Sequence, residues 1–234
     1  MARYFISIIS FGRQALTGAC FSYLQRQLER LQLDAAVVVT DSQESVKAQT
    51  PGSFYYFNTE NRPLSNKTQE NLKKIRELSS QESRGVIKLD TDDFLSDRQL
   101  LACCSMLEEG LTGQFDYLYV YDLPRERLTC NYKLTPFGAG RVFSHEALEA
   151  VEWQPCQKGL SIGLDRNTTE RLEAAGVEFN IFTCNPGEII LDIKTGSPLD
   201  ISNPLNYVGQ AVEPELVLRH LDREAKKDIQ NLKN

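Results

Sequence analysis

The stretch from Gly85 to Phe94 carries the densest chemistry in the chain. A short apolar run, Val86-Ile87-Lys88-Leu89, ends in Asp90-Thr91-Asp92-Asp93, three carboxylates within four positions. A strand that leaves the core and delivers its last residues to a cleft reads this way. If the chain stays extended, Asp90 and Asp92 point to the same side. Two hard oxygen ligands there, with a third at Asp93, suit Mg²⁺ or Mn²⁺ and a bound diphosphate. The same residues also suit an acidic turn capping the next helix, with Asp93 or Ser96 as the cap.

The surrounding elements decide which reading has support. Tyr4–Ser10 is a buried-strand pattern that runs into Ser10-Phe11-Gly12-Arg13. Phe21, Leu24, Leu28 and Leu31 then recur at helical spacing. Apolar runs at 34–41 and 53–57 end on Asp41 and Asn58. A loop at 61–67 precedes a helix with Leu72, Ile75 and Leu78 on one face, and the strand Val86–Leu89 follows. Another helix carries Leu100, Cys104, Leu107 and Leu111. Strands separated by helices predict a mostly parallel sheet with both faces covered. Ligands bind such sheets beyond the carboxyl ends of the strands, where Arg13, Asp41, Asn58 and Asp90–Asp93 gather.

After Gly113 the pattern changes. Tyr117–Asp122 alternates, and Leu128–Leu134 reads as a second strand, so this part predicts antiparallel structure added to the α/β core. Phe137-Gly138-Ala139-Gly140 reads as a turn, Ser144 as a helix cap, and Trp153 as a packed aromatic. Asp165 stands just before a helix that Asn167 or Thr168 would cap, and Asn167 with Glu170 has the reciprocal cap spacing. Strands are expected at 177–182 and 188–193. A charged helix is expected from Glu213-Pro214 toward Asn234, as a peripheral flap or partner contact.

Composition excludes several classes. The net charge of −6 argues against a generic binder of nucleic acid or membrane surface. No run of about 18 apolar residues is present, so no integral membrane segment is expected. The first ten residues read as a strand, not a signal peptide. The six cysteines form no C-x-x-C pair and suit buried, reduced thiols, which points to a cytoplasmic protein. Two histidines, His145 and His220, rule out a histidine-rich metal site.

Taken in order, these segments resemble the GT-A glycosyltransferases, in particular the large inverting family that includes many bacterial and phage sugar transferases. The matching parts are the first strand and its loop (Ile6 to Arg13), the strand ending in Asp41, and Leu64-Ser65-Asn66-Lys67 with its helix. Asp90-Thr91-Asp92-Asp93 is similar to the family's D-x-D-D, and Gly163-Leu164-Asp165-Arg166 with Arg171-Leu172 to its later acidic motif. The resemblance covers about residues 3–195. Lys67 stands where the family usually has Arg, Leu164 replaces a usual Glu, and no Q-x-x-R-W motif occurs.

The resemblance implies a single catalytic domain at 1–195, with a nucleotide-sugar half at 1–112 and an acceptor half at 113–195. Residues 196–234 then form a C-terminal loop and helix. It implies a nucleoside-diphosphate sugar donor, with Mn²⁺ or Mg²⁺ held by Asp92 and Asp93. Arg13, Asp41, Lys67, Asp90 and Lys194 would contact the donor, and Asp165 would be the general base. Where related enzymes often place a third metal ligand, this chain offers Asp192 and Lys194, and the ligand stays open. The acceptor could be a glycan, a protein or a hydroxylated DNA base. For DNA, Arg125, Arg127, Lys133 and Arg141 are a candidate basic strip, against the plainer reading of scattered surface charge. The alternatives are a nucleotidyltransferase and a non-catalytic sugar-binding or scaffold protein of the same fold.

Overall fold

Strand β1 (Tyr4–Ile9) is buried along its whole length, and its alternation explains why. Tyr4, Ile6 and Ile8 pack into one apolar cluster with Phe21, Leu24 and Leu107, while Phe5 packs into another with Leu72, Ile75 and Leu172. A strand covered on both faces needs apolar residues at both parities. Each such side chain stabilises the fold by about 1.5–3 kcal/mol through burial. The structure is a computed structural model that describes residues 2–10, 12–60, 63–132, 137–197 and 209–232.

The element order is α1 (Gln14–Leu31), β2 (Ala35–Asp41), α2 (Glu44–Gln49), β3 (Tyr55–Asn58), α3 (Leu64–Leu78), β4 (Gly85–Asp90), β5 (Asp93–Leu95) and α4 (Asp97–Glu108). Then come β6 (Gly113–Phe115), β7 (Tyr117–Asp122), β8 (Arg127–Tyr132), β9 (Arg141–Ser144), α5 (His145–Ala150), α6 (Leu164–Ala174), β10 (Asn180–Phe182) and β11 (Ile190–Lys194). The chain closes with β12 (Gln210–Val212), α7 (Pro214–Leu218) and α8 (Arg223–Asn231).

Two sheets result. The first has the order β10-β6-β9-β4-β1-β2-β3, parallel from β4 through β3, with β9 antiparallel to β4. The second has the order β12-β8-β7-β11-β5 and is mostly antiparallel, with β7 and β11 parallel. This is the predicted mostly parallel α/β layout with an added antiparallel portion.

The structure departs from the sequence reading at several points. The chain does not stay extended beyond Asp90: Thr91 and Asp92 form a turn, and Asp93 opens β5. The Asp93 carboxylate accepts the Asp90 backbone N–H at 2.7 Å, which fixes that turn. Ser96, not Asp93, caps α4, accepting the Gln99 N–H. Helix α6 starts earlier than expected, after Gly163 in a left-handed conformation (φ 70°), so Asp165 lies in its first turn. Asn167 is not a cap; its side chain accepts the Gln157 N–H at 2.7 Å. The single C-terminal helix is instead two, because Asp222 caps a new start by accepting the Ala225 N–H. Helix α8 is tied to α1 through Asp222, which pairs with Arg26 and Arg30. Phe11, Asn61, Arg62, the strand end at Lys133-Leu134, the loop from Pro198 through Ser202-Asn203-Pro204, and Asn234 lie outside the described residues.

All six cysteines are free thiols. Among the described residues no helix is long and apolar enough to cross a membrane.

One glycine decides how close β4 and β9 can lie. Gly85 has φ 151°, and a Cβ there would overlap the carbonyl oxygen of Phe143 on β9. Gly85→Ala is expected to lower stability by about 3 kcal/mol, read as a reduced urea midpoint.

Candidate active site

Two groups of carboxylates meet at the carboxyl end of β4. The first forms because β5 pairs antiparallel with β11, which puts Asp192 opposite Asp93. Asp92, in the turn before β5, completes the set: one oxygen from each of Asp92, Asp93 and Asp192 lies within 4.8 Å of the others. All three residues are buried. Two cations balance this group. Arg13 Nη1 donates to Asp92 Oδ2 at 2.8 Å, and Lys194 Nζ donates to the same oxygen at 3.0 Å. Lys194 Nζ also forms an ion pair with Asp192 Oδ1 at 2.7 Å. Arg13 reaches Asp92 from a left-handed backbone (φ 53°) at the start of α1.

These contacts split the acids electrostatically. Burial disfavours the Asp92 charge, but Lys194 and Arg13 outweigh it and hold the carboxyl far below its usual range. Among the described residues no cation lies within ion-pair distance of Asp93. Burial, then the charges of Asp92, Asp90 and Asp192, push it well above its usual value. Burial pushes Asp192 up to about 7, against the pull of Lys194 and with the Asp92 charge adding. Three hard oxygen donors that resist ionising together fit a divalent cation, which supplies the missing positive charge. Lys194 would then share Asp92 and Asp192 with that ion.

The second group lies on the other side of the turn. Lys88 Nζ lies 3.5 Å from Asp90 Oδ2 and 3.7 Å from Asp165 Oδ1. Asp165 is half-buried, and its helix is fastened by Arg141, which has no exposed surface. The Arg141 guanidinium donates to the carbonyls of Phe137 and Asp165, to Gln114 Oε1 and to Thr169 Oγ1. It also lies over the Phe179 ring, 5.0 Å from its centre.

The remaining predicted site residues lie deeper. Asp41 and Lys67 are fully buried, with Lys67 Nζ 3.8 Å from Asp41 Oδ2 and donating to the Ser10 carbonyl. Asp41 Oδ1 accepts the Gln43 N–H. Burial lowers Lys67 to about 8 despite the charges of Asp41 and Asp90. In this conformation the pair has no surface to offer a nucleoside. Its contacts brace the ends of β1 and β2.

The candidate basic strip does not assemble as expected. Arg141 is buried in the network just described, and Arg125 is paired with Asp122 at 2.7 Å. Arg127 is exposed, and Lys133 lies outside the described residues.

Sequence reasoning gave no role to Lys88, although a lysine inside a buried apolar strand, two residues before Asp90, was a visible signal. It placed Asp192 near the site without assigning it. Arg141 gave no signal of its own, because its partners include Gln114, the first turns of α6 and Phe179, all distant in sequence.

No family model matches the chain, and no curated protein matches it. Solved structures do. A 4-diphosphocytidyl-2C-methyl-D-erythritol synthase aligns with 86% of this chain and 95% of its own, at 13% identity and a TM-score of 0.52. The mannosyltransferase PcManGT from Pyrobaculum calidifontis, solved with GDP-Man and Mn²⁺, aligns with 99% of this chain and 72% of its own, at 15% identity and a TM-score of 0.52. The chain has the GT-A fold. Glycosyltransferases and nucleotidyltransferases are both among the structures that share it.

Two measurements test this site. Asp192 holds a proton in the metal-free fold that an unfolded chain would release near its usual value. Its contribution to stability therefore declines as pH rises toward about 7 and stays low above that. A divalent cation that displaces the proton reverses that loss. Mn²⁺ is expected to raise the melting temperature more at about pH 8 than at about pH 6, with proton release seen in calorimetry. Equal gains at both would count against this donor set. Separately, Lys67→Met leaves Asp41 buried without its cation and is expected to cost about 3–5 kcal/mol in urea unfolding. Adding Asp41→Asn should recover part of that loss.

Proposed function

We propose that the protein is a divalent-metal-dependent glycosyltransferase, moving a sugar from a nucleoside-diphosphate donor to an acceptor hydroxyl with inversion. Residues 1–112 would form the donor half and 113–195 the acceptor half. The observation that carries this reading is the meeting of Asp90 and Asp165 on one lysine, beside a second carboxylate group suited to a cation. The fold supports it, since a mannosyltransferase with bound GDP-Man and Mn²⁺ shares the architecture.

Asp92, Asp93 and Asp192 would hold the metal. Bound there, Mn²⁺ or Mg²⁺ would neutralise charge gathering on the departing diphosphate. Arg13 and Lys194, already beside Asp92, would add positive charge on the diphosphate side. Asp90 would face the donor. Asp165 would take the proton from the acceptor hydroxyl as that oxygen attacks the anomeric carbon from the face opposite the leaving group. Helix α6 and Arg141 hold its backbone rigid, which limits the motion that an oriented base must avoid.

A nucleotidyltransferase is the second reading, because the synthase shares the fold as closely as the mannosyltransferase does. Calorimetry with nucleoside di- and triphosphates, with and without Mn²⁺, separates the two. Metal-dependent uptake of a diphosphate but not a triphosphate is expected. Preference for the triphosphate would favour the second reading, and uptake of neither would favour a binding or scaffold role. A mass-detected screen of sugar nucleotides then identifies the donor. Asp165→Asn is expected to keep donor binding and lose transfer by about 100-fold or more. Transfer near the wild-type rate in that variant would remove Asp165 as the base.

A further inference from the structure

We propose that Lys88 is a positioning residue, whose ammonium group holds the Asp165 carboxylate in register with Asp90 and so ties the acceptor side of the site to the donor side. The inference rests on the proposed role of Asp165.

The geometry carries it. Lys88 lies between Ile87 and Leu89, which are almost completely buried, and its own side chain is only 14% exposed. A lysine in such a strand costs free energy unless its charge is matched. Here Asp90 and Asp165 match it at 3.5 and 3.7 Å. Burial alone would lower the ammonium, but the charges of Asp90, Asp165 and Asp93 outweigh it and raise it, so Lys88 stays charged.

The backbone leaves that ammonium little choice of place. Lys88 is the β4 partner of Arg141 on β9, and Arg141 holds the Asp165 carbonyl. Strand pairing thus sets the base of the Lys88 side chain relative to the helix that carries Asp165. Gly138 walls the other side: a Cβ there would overlap Lys88 Nζ and lie 3.0 Å from Asp165 Oδ1. The cavity beside Lys88, lined also by Thr68 and Thr168, is only about 20 Å³. That is room for about one water.

The consequence is mechanistic. Asp165 and Asp90 come from segments 75 residues apart, yet a single charge restrains both carboxylates. A base must lie within hydrogen-bond reach of the acceptor proton when the donor is in place. A lysine shared with the donor-side acid fixes that separation before either substrate arrives. Removing it should slow the chemical step and leave donor affinity alone.

Two measurements on the full chain decide the point. The first is urea unfolding of Lys88→Met, Asp165→Asn and the double variant without metal. The midpoint change caused by Asp165→Asn is expected to differ clearly between the wild-type and K88M backgrounds. Strict additivity would overturn the inference. The second is Mn²⁺-dependent hydrolysis of UDP-galactose and GDP-mannose, read by mass. K88M is expected to lose about tenfold in kcat with donor KM within about twofold, and K88R to recover part of the loss. A kcat unchanged in K88M, or a loss expressed wholly in KM, would overturn it. If K88M does not fold, Gly138→Ala crowds the same two groups from the opposite wall and should show the same kcat loss. If the wild type hydrolyses neither donor nor any other sugar nucleotide, the glycosyltransferase reading fails, while the unfolding cycle still decides whether Lys88 holds Asp165.

Discussion

Charge balance at the end of β4 constrains the rest of the molecule. Asp90, Asp92, Asp93, Asp165 and Asp192 face Arg13, Lys88 and Lys194. Carboxylates outnumber the cations paired with them here, and a divalent cation would offset the excess. Without that cation, burial disfavours charge on Asp90, Asp93 and Asp192 and holds all three above their usual values. Burying like charges together is costly. Strand pairing places Asp93 opposite Asp192, while side-chain contacts to Arg13, Lys194 and Lys88 hold Asp92 and Asp165. β4, β5 and β11 belong to two sheets whose cores are apolar on both sides of the cluster.

How much of this was legible in the sequence follows from how local each feature is. The apolar runs that became β1, β2 and β4 are local patterns, and their order gave the sheet. The acidic triplet was visible because it interrupts such a run. The turn at Thr91–Asp92 was not, since it depends on the Asp93 carboxylate gripping the Asp90 N–H. β5, β6, β9 and β12 are three or four residues long, too short for a periodic signal. Asp192 joined the Asp92–Asp93 carboxylate group only through its pairing with Asp93, 99 residues away in sequence. Arg141 read as a surface charge because arginine usually is one. Its burial depends on acceptors from Gln114, Phe137, Asp165 and Thr169 converging on one guanidinium.

The two buried lysines show how the same residue type serves two ends. Lys67 is enclosed with Asp41, and burial brings it down to about 8. It braces the strand ends beneath the site. Lys194 lies in a nest of carboxylates that outweighs burial and holds it well above its usual value. A lysine so placed is a structural cation in the metal-free fold and, on the proposed function, would be a phosphate partner once a metal shared its carboxylates. The difference lies in the count of neighbouring acids, and that count is set by strand register.

The choice between glycosyl and nucleotidyl transfer turns on the nucleophile. A phosphate oxygen that attacks a nucleoside triphosphate is already ionised near neutral pH and needs no base. A sugar or other hydroxyl is not, and needs a group to take its proton as it attacks. A site built only for the first reaction requires cation-holding acids and a basic loop for the triphosphate. This chain has the acids, but Arg13, in the loop after β1, is directed onto Asp92. It also has a further carboxylate, Asp165, on a helix anchored by a buried arginine, and Lys88 Nζ lies 3.7 Å from it and 3.5 Å from Asp90. That investment in placing one half-buried carboxylate has a use in hydroxyl attack and none in attack by phosphate, which is why the glycosyltransferase reading is preferred on chemistry where the fold alone favours neither.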